Sequence, residues 1–87
     1  MKVDVSRLRG LALSETGFVF DPVTGYTYNL NLAGTALLRR LQDGEAPDDI
    51  LESLKEEVDA DTNEVERDWE QFLGRLRDYG LLIYQEA

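Results

Sequence analysis

Glu56/Glu57, Asp59/Asp61 and Glu66/Glu70 are the side-chain pairs in this sequence whose type and spacing suit acid–base chemistry. All of them fall on polar helix faces or in a turn. Acid–base work needs burial or close coupling to shift a carboxylate, and solvated pairs have neither. Lys2, Lys55 and the hydroxyls are the remaining candidates. The sequence has no histidine, so it lacks the commonest general base and the commonest transition-metal ligand. It has no cysteine, so thiolate sites and disulfides are excluded. Asp59, Asp61, Asn63 and Glu64 imitate part of a calcium loop but lack its central glycine and its distal bidentate glutamate. No glycine-rich loop is present to cradle a phosphate. The expectation is a protein that is not an enzyme and takes no metal or cofactor.

A different chemistry is available to the stretch Tyr26–Thr27–Tyr28–Asn29–Leu30. These residues favour a strand and carry no Lys, Glu or Pro to blunt its edge. Unpaired backbone at such an edge pairs with another chain. Tyr26 and Tyr28 lie on one face, with Thr27 and Asn29 on the other. Trp69, the only tryptophan, joins them as a residue with an apolar body and a polar handle, suited to half-wet sites.

Length and charge bound what can surround this stretch. Eighty-seven residues make one domain, with an adequate core that has room for a small catalytic site but on which a deep substrate cleft is hard to build. A hydrophobic fraction of 43% with 31% charged residues is that of an ordinary globular chain. Met1–Gly10 has no apolar core of a signal peptide, and no apolar run approaches the roughly 20 residues that span a bilayer. The expected location is the cytoplasm. The net charge of −9 is uneven: residues 1–44 hold five basic and four acidic side chains, residues 45–87 four and fourteen. The acidic half disfavours nucleic acid and anionic membranes as partners.

The elements that must position these residues are marked by a change of period. Short apolar runs, Leu11/Leu13, Phe18–Phe20 and Tyr26/Tyr28/Leu30, are separated by Gly17 and by the turn Asp21–Gly25. They predict a meander of two or three antiparallel strands. In the turn, Asp21 accepts from the backbone ahead of it, Pro22 presets φ, and Gly25 supplies positive φ. Asn31 then caps a helix with Leu32, Ala36, Leu37 and Leu41 at helical spacing, ended by Gly44. Pro47 opens a second helix, with Asp48 and Asp49 in its first turn and a stripe of Ile50, Leu51, Leu54 and Val58. Asp61 and Glu64 open a third, whose apolar face is Val65, Trp69, Phe72, Leu73 and Leu76, ended by Gly80. Leu81–Tyr84 is an apolar tail, read as a last strand or a packed extension. Strands followed by three helices make an α+β domain of winged-helix-like type. The third helix presents Glu64, Glu66, Asp68 and Glu70 in its first half, the wrong sign for reading DNA.

The order and spacing of these residues resemble the PqqD family. Leu30–Asn31, Ala33–Leu38, Leu41–Gly44, Asp49–Ile50 and Leu54 are similar to the family's first half. Val65, Asp68, Phe72–Leu73, Leu76 and Gly80–Leu82 are similar to its close. The resemblance covers about Leu11 to Leu82. It implies a winged-helix-like recognition element for ribosomally made, modified peptides, with a three-stranded antiparallel sheet followed by three helices, which binds a precursor's leader segment as an added strand and presents it to a modifying enzyme, often a radical SAM protein. Carried onto this chain, the implied peptide-binding residues are Tyr26, Thr27, Tyr28, Asn29 and Leu30 on the strand. On the third helix they are Val65, Asp68, Trp69, Phe72 and Leu76. An acidic third helix implies a leader with at least one Lys or Arg. The sequence departs from the family at Ala46, where a capping Thr is usual, and at Trp69, where a smaller apolar residue is common. Docking of a folded partner and self-association through the open strand are the alternative readings. The chain is expected to be a monomer or weak dimer.

Overall fold

The computed structural model describes residues 2–57 and 61–85. The chain opens with β1 (Lys2–Asp4) and a 3-10 helix (Ser6–Gly10). β2 (Ala12–Leu13), β3 (Phe18–Phe20) and β4 (Thr27–Asn29) form an antiparallel sheet in that order. Three helices follow: α1 (Leu32–Gln42), α2 (Pro47–Glu57) and α3 (Thr62–Asp78). The sheet and helices match the sequence-based expectation. β5 (Ile83–Gln85) ends the described chain and pairs with β1, so the apolar tail is both: Leu81 and Leu82 pack in the core, and the strand begins at Ile83. That second, two-stranded sheet and the 3-10 helix have no counterpart in the sequence reading, and Val58 and Asp59 lie outside the described residues.

Turn chemistry sets the meander. Gly17 has φ 91°, and a Cβ there would collide with the Leu30 carbonyl oxygen. The Leu30 N–H donates to the Gly17 carbonyl at 2.8 Å, tying the end of β4 to the start of β3. At the other end, Asp21 closes its turn through the Val23 N–H at 3.0 Å, and Gly25 donates to the Asp21 carbonyl at 2.7 Å. Gly25 takes φ 79°, as a turn glycine must.

Caps fix the helices. The Asn31 Oδ1 accepts from the Gly34 N–H at 2.7 Å, and the Thr35 hydroxyl donates to the Asn31 carbonyl at 2.8 Å. This anchoring turns α1 so that Gly34, Thr35, Leu38 and Leu41 face inward. Leu32 is 84% exposed and Ala36 is exposed, contrary to the sequence-based stripe. The phase is set by the clamp at Gly17 and the Asn31 cap, which helical spacing alone does not encode. Asp61 caps α3 through the Asn63 N–H at 2.8 Å. Lys55 on α2 meets Glu66 on α3 at 2.6 Å, joining the two helices.

The core lies between the sheet and the helices. Leu8, Val19, Leu38, Leu41, Ile50, Trp69, Leu76, Leu81 and Leu82 are buried in one cluster. The Gln42 amide bridges α1 to the N-terminal segment by donating to the carbonyls of Leu8 and Leu11 at 2.9 and 3.1 Å. Asp21 is fully buried and meets Arg7 at 2.8 Å.

Candidate functional site

β4 is an edge strand, and its register decides which backbone groups are free. The pairs are Phe18/Asn29, Val19/Tyr28 and Phe20/Thr27. Hydrogen bonds flank them at Leu30 N–H to Gly17 and at Asp21 N–H to the Tyr26 carbonyl, 2.8 and 2.9 Å. Bonded and non-bonded pairs alternate along an antiparallel ladder. The bonded residues of this strand are therefore Tyr26, Tyr28 and Leu30. The N–H and C=O groups of Thr27 and Asn29 point the other way, out of the sheet.

Beside that edge runs α3. Its residues Asp68, Gln71, Phe72, Arg75, Leu76 and Tyr79 follow helical spacing and form one wall of a groove of about 380 Å³. Asn29, Leu30 and Asn31 form the opposite wall, and Ala33, Gly34 and Leu37 of α1 close one end. Leu30, Leu37 and Phe72 are half-buried and give the groove an apolar floor, while Asp68, Gln71, Arg75 and Tyr79 are exposed along its rim. The Tyr28 ring stacks on Tyr79 at 4.6 Å between centroids, fixing the end of α3 against β4. Burial pushes the Tyr28 phenol up, helped by the nearby Asp21 carboxylate. At the other end, Phe72 lies next to Gly34, where an added Cβ would come within 3.5 Å of its ring. That is ordinary contact, so the approach of α1 to α3 does not depend on a glycine here; the tighter neighbour is the capping Asn31 Oδ1 at 3.1 Å.

The sequence-selected residues fall into four groups. Asn29, Leu30, Asp68, Phe72 and Leu76 line the groove. Thr27 and Tyr28 flank it, the first through its outward backbone and the second through its stacked ring. Tyr26 is 65% exposed at the start of the edge, away from the groove. Val65 and Trp69 are buried, and Trp69, 4% exposed, belongs to the core and stacks on Phe72 from behind. Sequence reasoning passed over Asn31, Ala33, Gly34, Leu37, Gln71, Arg75 and Tyr79 as lining residues. Extending the stripe Asp68–Phe72 forward by helical spacing reaches Arg75 and Tyr79, so that signal was present. Nothing in the sequence marks Ala33 or Gly34.

A peptide-sized groove with an open strand beside it is a frame for binding an extended chain. Among the described residues no cluster of three or more metal-ligating side chains occurs, and no helix is long and apolar enough to cross a membrane. Comparison with known families is decisive for kinship: residues 16–82 match the model of "Coenzyme PQQ synthesis protein D (PqqD)". The chain belongs to the PqqD family. No curated protein matches the sequence. Two solved structures resemble this PqqD-family fold. One is a lasso peptide synthetase B1 complexed with the leader peptide, 25% identical, with TM-score 0.67 over 85% of this chain and 88% of that one. The other is TbiB1 in complex with the TbiA(beta) leader peptide, with TM-score 0.75 over 100% of both chains. Its 23% identity speaks for the shared fold alone.

Proposed function

We propose that this protein is a non-catalytic peptide chaperone, a single domain that binds the leader segment of a ribosomally synthesised precursor and presents it to a modifying enzyme. The observation that carries the reading is the outward direction of the Thr27 and Asn29 backbone along the wall of a groove whose other wall is α3. A leader laid along β4 finds four backbone partners there, two donors and two acceptors. Each bond contributes about 0.5–1.5 kcal/mol net. Alternate leader side chains drop onto Leu30, Phe72 and Leu76, and the remainder face solvent. Tyr28 braces the groove, Tyr26 extends the edge, and Val65 and Trp69 hold α3 in place from beneath. Ordering a flexible leader offsets much of the gain, which sets the affinity near micromolar, roughly −8 kcal/mol.

Family membership supports this reading, as does the leader peptide bound by the lasso peptide synthetase B1 of like fold. The absence of histidine and cysteine from the sequence supports a role without catalysis. The family resemblance points to a radical SAM protein as the modifying enzyme. The likeness to a lasso peptide synthetase B1 favours a second setting, lasso peptide maturation, in which the domain's own task is the same.

Calorimetric titration tests the proposal with synthetic leader segments taken from short open reading frames beside the gene. Thr27→Pro and Asn29→Pro each delete one outward donor and spare the bonds to β3. Each is expected to weaken binding roughly tenfold or more, with the circular dichroism spectrum unchanged. Full affinity in both variants would contradict strand addition and favour docking of a folded partner.

A further inference from the structure

We infer that the groove reads the order of charges along its peptide: a basic residue toward the peptide's N-terminus and an acidic residue two to four positions later. The inference rests on the strand-addition reading above. It begins from Asp68 and Arg75, both exposed on the rim. Among the described residues neither takes part in an ion pair or a side-chain hydrogen bond. Seven residues of helix separate them, about 10 Å at 1.5 Å per residue. That is too far for either to neutralise the other. It equals about three residues of extended chain at roughly 3.3 Å each. With these two residues counted, α3 as a whole has the same polarity. Thr62–Glu70 carries four carboxylates and one arginine, whereas Gln71–Asp78 carries two arginines and one carboxylate.

Two contacts fix the direction. Tyr79 stacks on Tyr28, and Phe72 lies beside Gly34, beyond the end of β4. β4 therefore runs from the Arg75–Tyr79 end of the groove toward the Asp68–Phe72 end, opposite to α3. The sheet is antiparallel throughout, and an antiparallel addition makes the slightly stronger ladder. A peptide so added runs along α3 in the same direction as the helix. Its earlier residues pass Asp68 and its later residues pass Arg75. Base before acid gives two attractions, and acid before base gives two repulsions. With exposed pairs each contributing modestly, reversing the order is expected to change affinity roughly tenfold.

Selection of random 12-residue peptides by mRNA display tests this on three proteins: wild type, the double variant Asp68→Arg/Arg75→Asp, and Thr27→Pro with its fold verified by circular dichroism. Wild type should enrich peptides with Lys or Arg ahead of Asp or Glu. The double variant should enrich the opposite order, an inversion that a merely structural role for either residue would not produce. Enrichment that needs the intact Thr27 edge but shows no order, or the same order in both proteins, would overturn the charge-order inference and leave strand addition standing. Enrichment insensitive to Thr27→Pro, or none at all, would overturn strand addition and the inference with it.

Discussion

Asp21 carries more of the fold than its place in a turn suggests. Burial pushes its carboxyl up, but the Arg7 guanidinium, the Val23 N–H and Thr24 together outweigh burial and hold it below the usual aspartate range. Because folding lowers its proton affinity, the stability it contributes is present above the ordinary aspartate pKa and is lost as pH falls through the lower, folded value. Denaturant titrations of wild type and Asp21→Asn should therefore differ at pH 7 and converge as the solution is acidified below about pH 4. A gap that persists unchanged at pH 2 would contradict this. Arg7→Ala, which leaves the Asp21 carboxylate without its cation, should lower the denaturation midpoint more than Arg9→Ala does. The turn role of Asp21 was legible because Asx chemistry is local. Its partner lies fourteen residues back, and no local rule points there. Trp69 and Tyr26 illustrate the same limit. Both are aromatics with polar handles, yet one is in the core and the other is exposed, because residue type does not encode which side of a helix or strand meets the core.

The helices and the meander were legible at the scale of elements because period, caps and turn residues agree with one another. Asn31, Pro47 and Asp61 mark the three helix starts, and the observed starts follow them. The β1–β5 pair was not legible. Its strands are three residues each and sit at opposite ends of the chain, so neither has a period to read and their pairing is entirely long-range. The rotation of α1 was hidden for a related reason: the clamp between Gly17 and Leu30 and the approach of Phe72 to Gly34 are tertiary events. α2 offers a direct check of capping. Ala46 precedes Pro47 and its carbonyl accepts from the Ile50 N–H at 3.0 Å, but its side chain has no acceptor for the orphan N–H groups of the first turn. Ala46→Ser should raise stability by about 1 kcal/mol, seen as a higher denaturation midpoint with an unchanged slope. No gain would mean that Asp48 and Asp49 already satisfy that helix end.

For the whole molecule, the edge strand and the helix that faces it form one structure. Among the described residues, the three short strands leave the outward N–H and C=O groups of Thr27 and Asn29 without a ladder partner, and the core residues Trp69, Leu73 and Leu76 hold α3 beside them. The open edge was visible in the sequence as an uncharged, proline-free strand former. The partition of its backbone into inward and outward groups needed the register, and the groove rim needed the packing of α3. An amide NMR titration of the isotopically labelled protein with a synthetic leader peptide tests the central claim most directly. Saturable shifts should be strongest at Thr27 and Asn29 and should extend along the Asp68–Tyr79 face of α3, with α2 silent. Shifts centred on α2 or on the exposed face of α1 around Leu32, with Thr27 and Asn29 unmoved, would contradict it.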